Sequence, residues 1–122
     1  MDLLSVLLSV TTLFMVPVGG GIPVDVDRLS VAVALVETGD CRAGVGAQYN
    51  NCHGIRWKGE WKKFEHPEQS HSYFKWMWQN SQYYSGGFPT LEEAHLYTGS
   101  DNARRWLCGV TKYYYGLNMD CS

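Results

Sequence analysis

Val33-Ala34-Leu35-Val36-Glu37-Thr38-Gly39 is the stretch on which the reading of this chain turns. Four aliphatic residues run into an acid, a threonine and a glycine. Just upstream, Asp25 or Asp27 can cap a helix, and Leu29, Ala32, Val33 and Val36 recur at the spacing of one buried helical face. Gly39 is a helix stop. The stretch therefore predicts a helix whose last turn carries Glu37, with one side of its carboxyl against packed aliphatics. Desolvation disfavours the ionised form of such a carboxyl and raises its pKa. An acid still protonated near neutral pH can protonate a leaving oxygen. The plainer alternative is an ordinary solvated glutamate near a helix end.

Downstream, residues 39–53 read as loop, with Gly44, Gly46, Asn50 and Asn51. Gly54-Ile55-Arg56-Trp57 and Trp61-Lys62-Lys63-Phe64, joined through Lys58-Gly59-Glu60, read as a short hairpin. Pro67 suits the first turn of a second helix, whose buried stripe would be Tyr73, Phe74, Met77 and Trp78. Gly86-Gly87-Phe88-Pro89 is a turn. Thr90 and Glu93 form a capping box for a third, short helix. Asp101 can cap a fourth, with Ala103, Trp106, Leu107, Val110 and Tyr114 facing inward and Gly116 at its end. Tyr113, Tyr114 and Tyr115 cannot all be buried on one helix. The predicted fold class is α+β, mainly α: one domain over residues 22–122, with a small hairpin after the first helix and a cleft between them.

The 122 residues suffice for one compact domain. A net charge of -2 argues against a broad nucleic-acid-binding surface. Arg56, Lys58, Lys62 and Lys63 are a local basic exception, either a solvated hairpin face or an edge that meets an anionic polymer. Residues 1–21 are an apolar N-terminal segment without a charge from Leu3 to Val24, broken by Pro17 and Gly19-Gly20-Gly21. Residues 3–18 fit a signal peptide, a membrane attachment or an extra helix, although the basic start of a signal is missing and the run is short for a full span.

Cys41, Cys52, Cys108 and Cys121 have no C-x-x-C spacing. An even number in a small chain fits two disulfides formed in an oxidising, extracytoplasmic compartment. Of three connectivities, Cys41–Cys52 and Cys108–Cys121 are favoured because each closes a short loop. His53, His66, His71 and His95 make no convincing metal set: His66 and His71 share no good helical face, and His53 merely neighbours Cys52. No metal or organic cofactor is expected, and the chain is expected to act as a monomer.

Glu37-Thr38-Gly39, then Asn50-Asn51-Cys52-His53-Gly54-Ile55, then Tyr97-Thr98-Gly99-Ser100-Asp101 ahead of Trp106 and Tyr113-Tyr114, occur in this order. The order resembles the glucosaminidase branch of the lysozyme-like superfamily over roughly residues 22–116. The resemblance implies a lysozyme-like fold and cleavage of the β-1,4-linked glycan strand of peptidoglycan. Glu37 would be the general acid. Asn50, Asn51, Gly54 and Ile55 match the turn that shapes the cleft floor, as support or as sugar contacts. Tyr97 matches the tyrosine expected to face the cleft, where its hydroxyl would hold an acetamido group or position a water, or else be satisfied internally.

Two departures stand out. Thr38 replaces a commoner serine, and the hairpin is too short for the β-lobe that carries a second carboxylate in longer members. Glu60 is taken as the candidate for that group, with Glu65 and Asp40 behind it. Inverting hydrolysis places the pair roughly 6.5–9.5 Å apart and retaining hydrolysis about 5–5.5 Å. Without a second carboxylate, the substrate's acetamido group or an intramolecular attack would serve, the latter making a lytic transglycosylase. Trp57 and Trp61 on the hairpin are candidate sugar platforms, whereas Trp106 has core spacing. The competing readings are a non-catalytic wall-binding module on the same fold and a membrane-tethered structural or inhibitor protein.

Overall fold

The computed structural model describes residues 22–99 and 101–122. The apolar segment 1–21, with the attachment expected of residues 3–18, lies outside the described residues. Among the described residues no helix is long and apolar enough to cross a membrane.

Helix α1 spans Val26–Thr38. The Asp25 carboxylate caps it by accepting from the backbone N–H groups of Asp27 and Arg28 at 3.0 and 3.2 Å. Gly39, in the left-handed region at φ 63°, ends it. The expected loop over 39–53 contains a short helix, α2 (Gly44–Tyr49). Gly46 explains that turn of helix. A Cβ there would lie 2.7 Å from both Cys41 Cα and Thr38 Cβ, so the backbone of α2 packs directly on the end of α1. Strands β1 (Arg56–Trp57) and β2 (Glu60–Trp61) pair antiparallel, Arg56 opposite Trp61 and Trp57 opposite Glu60. The strands are shorter than the sequence suggested, and Glu60 belongs to β2 rather than to the turn, which is Lys58-Gly59 with both φ positive.

Helix α3 (Pro67–Asn80) starts on its proline, and α4 (Leu91–Thr98) has the full Thr90/Glu93 capping box. Helix α5 (Ala103–Tyr115) ends at Gly116, but its N-cap position is Asn102, and no side-chain cap bond forms there. The cap expected of Asp101 is therefore one residue early.

α1 is the central helix, packed on α5 and α3, while α4 packs on α5. The core takes Leu29, Ala32 and Val33 from α1, Phe74 and Trp78 from α3, Ala94 from α4, and Ala103, Trp106 and Val110 from α5. Tyr73, Met77, Leu107 and Tyr114 are only partly buried, and Tyr113 and Tyr115 are exposed. The molecule is thus mainly helical with one two-stranded sheet, as expected of the fold class. Two disulfides, Cys41–Cys52 and Cys108–Cys121, have the favoured connectivity and suit an oxidising environment.

Candidate active site

The close approach of α1 and α5 sets the level of Glu37. A Cβ at Gly109 would come within 2.9 Å of Val36 Cγ2, so the helices touch there through a glycine. One residue further along α1, Glu37 turns toward α5. Trp106 Nε1–H donates to its Oε2 at 2.8 Å. Its other oxygen, Oε1, occupies the space a side chain would need at position 54, 2.9 Å from the Cβ position of a substituted Gly54. Gly54 also has φ 65°. That glycine is therefore required both by its backbone conformation and by the carboxyl beside it.

Burial pushes the Glu37 carboxyl up to about 7, against the opposing pull of the Trp106 hydrogen bond. Near neutral pH a large fraction of it carries a proton. Glu37 opens onto a cleft of about 860 Å³, within the size range of small-molecule sites. The cleft wall includes Ile55, Arg56 and Trp61 from the hairpin side, Met77 from α3, Tyr84 from the segment after it, and Tyr97, Arg105 and Trp106 from α4 and α5.

An aromatic column backs the acid. Trp106 stacks on Tyr97 with ring centroids 5.0 Å apart, and Tyr84 stacks on Trp78 at 4.5 Å. The Tyr97 hydroxyl donates to the His53 carbonyl at 2.7 Å, and burial with the nearby Glu37 and Tyr84 holds it well above the usual phenol range. Tyr97 therefore stays neutral with its proton committed internally. Its ring, stacked on Trp106, forms part of the cleft wall.

The Asn50-Asn51 turn carries the hairpin. Asn50 Nδ2 donates to the Phe64 carbonyl at 3.2 Å. Asn51 is fully buried; its Nδ2 donates to the Ile55 and Lys62 carbonyls at 2.8 and 2.9 Å, and its Oδ1 accepts from Ile55 N–H at 2.9 Å. It clamps both strands at their base. Of the turn residues, Gly54 and Ile55 reach the cleft, while Asn50 and Asn51 support it from behind. The buried Thr38 hydroxyl, donating to the Cys52 carbonyl and accepting from Cys41 N–H at 2.8 Å each, locks the same turn onto α1 beside the Cys41–Cys52 bridge.

His53 takes part in folding the site. Its ring nitrogens meet Ser70 Oγ at 2.7 Å and the Ser30 side chain and carbonyl, and burial together with neighbouring His71 lowers its pKa to about 3. It is a neutral core histidine. Asp40, Cys52 and His71 bring potential ligand atoms within 4.8 Å of one another, but the Cys52 sulfur is bonded to Cys41 and both His71 nitrogens are engaged, with Ser30 and Asp40.

The sequence candidates divide clearly. Glu37, Gly54, Ile55, Trp61 and Tyr97 meet at the cleft. Trp57 and Glu60 do not line it; both are exposed on the outer hairpin, as is Glu65 beyond it. Asp40 pairs with His71 at 3.1 Å, away from the opening. Among the described residues, Glu37 is the single carboxylate of the cleft wall. Trp106 has the core burial expected of it, yet its indole edge also holds the acid. Arg56 and Arg105 line the cleft. Arg56 belongs to the basic hairpin cluster noted in the sequence, whereas Arg105 was not singled out; its signal was slight, because it directly precedes Trp106, just off the apolar stripe of α5.

Comparison of the chain with protein-family models, curated proteins and solved structures returns no match.

Proposed function

We propose that this protein cleaves β-1,4-glycosidic bonds in the glycan strand of peptidoglycan, with Glu37 as general acid on a lysozyme-like fold. The observation that carries the reading is a carboxyl raised to about 7 by burial at the wall of an open, aromatic-lined cleft. A sugar ring lying in that cleft would meet the aromatic side chains of Trp61 and Tyr84 and a proton donor at Glu37. Glu37 gives its proton to the glycosidic oxygen as the bond to the anomeric carbon breaks, and the developing positive charge is relieved by a nucleophile on that carbon. With Glu37 the single cleft-wall carboxylate among the described residues, the nucleophile that fits is part of the substrate: its acetamido oxygen, later displaced by water, or its own 6-hydroxyl, whose proton passes to the Glu37 carboxylate as an anhydro sugar forms. The disulfides fit work outside the cytoplasm, where such a substrate lies.

A wall-binding module without catalysis is the second reading, favoured by the same lack of a second carboxylate. Insoluble peptidoglycan incubated with the oxidised protein separates the two. The cleavage reading expects soluble glycan fragments from the wild type and none from Glu37→Gln, with both proteins pelleting with the wall. A folded wild type that pellets and releases nothing supports the module.

A further inference from the structure

We propose that the cleft selects glycan strands bearing carboxylates and that Arg56 and Arg105 are the residues that read them; the inference rests on the glycan-cleaving reading and names the charge of its substrate. The two arginines line the cleft from different elements, Arg56 from β1 and Arg105 from α5. Among the described residues neither has a carboxylate partner: the ion pairs formed there join Glu68 to His66, Asp40 to His71 and Asp27 to Lys75, and Glu93 is taken up by its capping box and the Ser85 N–H. Glu37 does not neutralise them in the protonated state that burial favours.

The geometry at Arg56 adds direction. Its guanidinium carbon lies 4.1 Å from the centre of the Trp61 ring. A guanidinium held over an aromatic face keeps N–H donors at its edges that a planar anion such as a carboxylate can take. The guanidinium covers one face of that ring at the cleft wall, where a charged substituent of a bound sugar could meet it. Arg105 lines the same cleft from α5, the helix that also carries Trp106. The glycan of peptidoglycan carries such groups, either as a free lactyl carboxylate or as the carboxylates of an attached stem peptide. A chitin chain with the same backbone has neither.

The test measures dissociation constants in the Glu37→Gln background, where strands stay intact. Four ligands are compared at one ionic strength: peptide-free strands with free lactyl groups, stem-bearing strands, and each of these with its carboxylates converted to methylamides. The expected result is about tenfold tighter binding of a charged strand than of its methylamide, the scale of a charge-assisted hydrogen bond. The larger of the two ratios identifies which carboxylate is read. Arg56→Gln and Arg105→Gln should each bring that ratio toward one. Because Arg105 lies away from the hairpin, it tests the idea even where Arg56→Gln loosens the Arg56–Trp61 stack. Equal affinity for charged and neutralised strands, or arginine variants that keep the ratio, overturns the selectivity. If the wild type still cleaves both strand types in that case, the cleavage reading stands alone. Failure to bind any strand, together with failure to cleave, overturns both.

Discussion

Trp106 Nε1–H and Glu37 Oε2 meet at 2.8 Å across 69 residues of sequence, and that hydrogen bond joins the last helix to the acid. The bond favours the ionised carboxylate, while burial favours the neutral acid and wins. Trp106→Phe keeps most of the ring and removes the donor. It should therefore move the pKa of Glu37 upward from about 7 and carry the alkaline limb of the pH–activity profile with it. Glycan release measured from pH 5 to about 9 checks this. An alkaline limb that stays in place would detach Glu37 from the titration.

Glu37 and His53 should leave opposite marks on stability. Glu37 has a folded pKa raised from 4.5 to about 7, so the folded state binds the extra proton and stability falls as pH rises through that window. His53 is lowered from 6.5 to about 3, so the unfolded state binds the extra proton and stability rises with pH there. Between 4.5 and 6.5 the two slopes oppose each other. Glu37→Gln removes one of them. Denaturant melts should show the variant gaining on the wild type by up to about 1.4 kcal/mol per pH unit in this range. A constant difference between the two proteins would show that Glu37 is not buried as described.

Gly54→Ala places a Cβ 2.9 Å from Glu37 Oε1 at a backbone φ of 65°. The left-handed conformation alone costs about 1–2 kcal/mol for a residue with a side chain, and the carboxyl must also move. The variant should melt several degrees lower and lose activity out of proportion to its loss of stability. Thermal melts beside glycan release at a temperature where the variant is folded test this, and a stable variant with full activity would be the contrary outcome.

Asn51→Ala removes three hydrogen bonds from a fully buried position and leaves Ile55 N–H and the Ile55 and Lys62 carbonyls without them. The expected destabilisation is about 2–4 kcal/mol. Asn51→Asp keeps an acceptor for Ile55 but no amide donors, so it should also destabilise. Opening the Cys41–Cys52 bridge by paired serine substitution acts on the same turn, with an expected loss of about 3 kcal/mol from closure of a short loop. Chemical denaturation of each variant gives these values directly.

The elements legible in the sequence were those with local causes. The Asp25 cap, the Gly39 stop, the Thr90/Glu93 box and the proline of α3 each act within a few residues, and each appears where its pattern lies. Burial of Glu37 was legible for the same reason, because the aliphatics beside it share its helix. Helix α2 was not, since Gly-Val-Gly-Ala-Gln-Tyr has weak helical propensity and no apolar period. It forms because Gly46 fits against α1, a tertiary fact. The Trp106–Glu37 bond was hidden by a correct inference: core spacing on α5 says that Trp106 is buried, but not where its N–H points. The Ser30–His53–Ser70 network gathers polar residues from three parts of the chain, none of which signals the others.

The most direct measurement is mass spectrometry of the soluble products of purified peptidoglycan after incubation with the oxidised protein and with Glu37→Gln. Muropeptides are expected from the wild type alone, their reducing ends identifying the bond broken and an anhydro terminus marking intramolecular attack. Equal fragments from both proteins would remove Glu37 from the chemistry, and no fragments from a folded wild type would contradict cleavage itself.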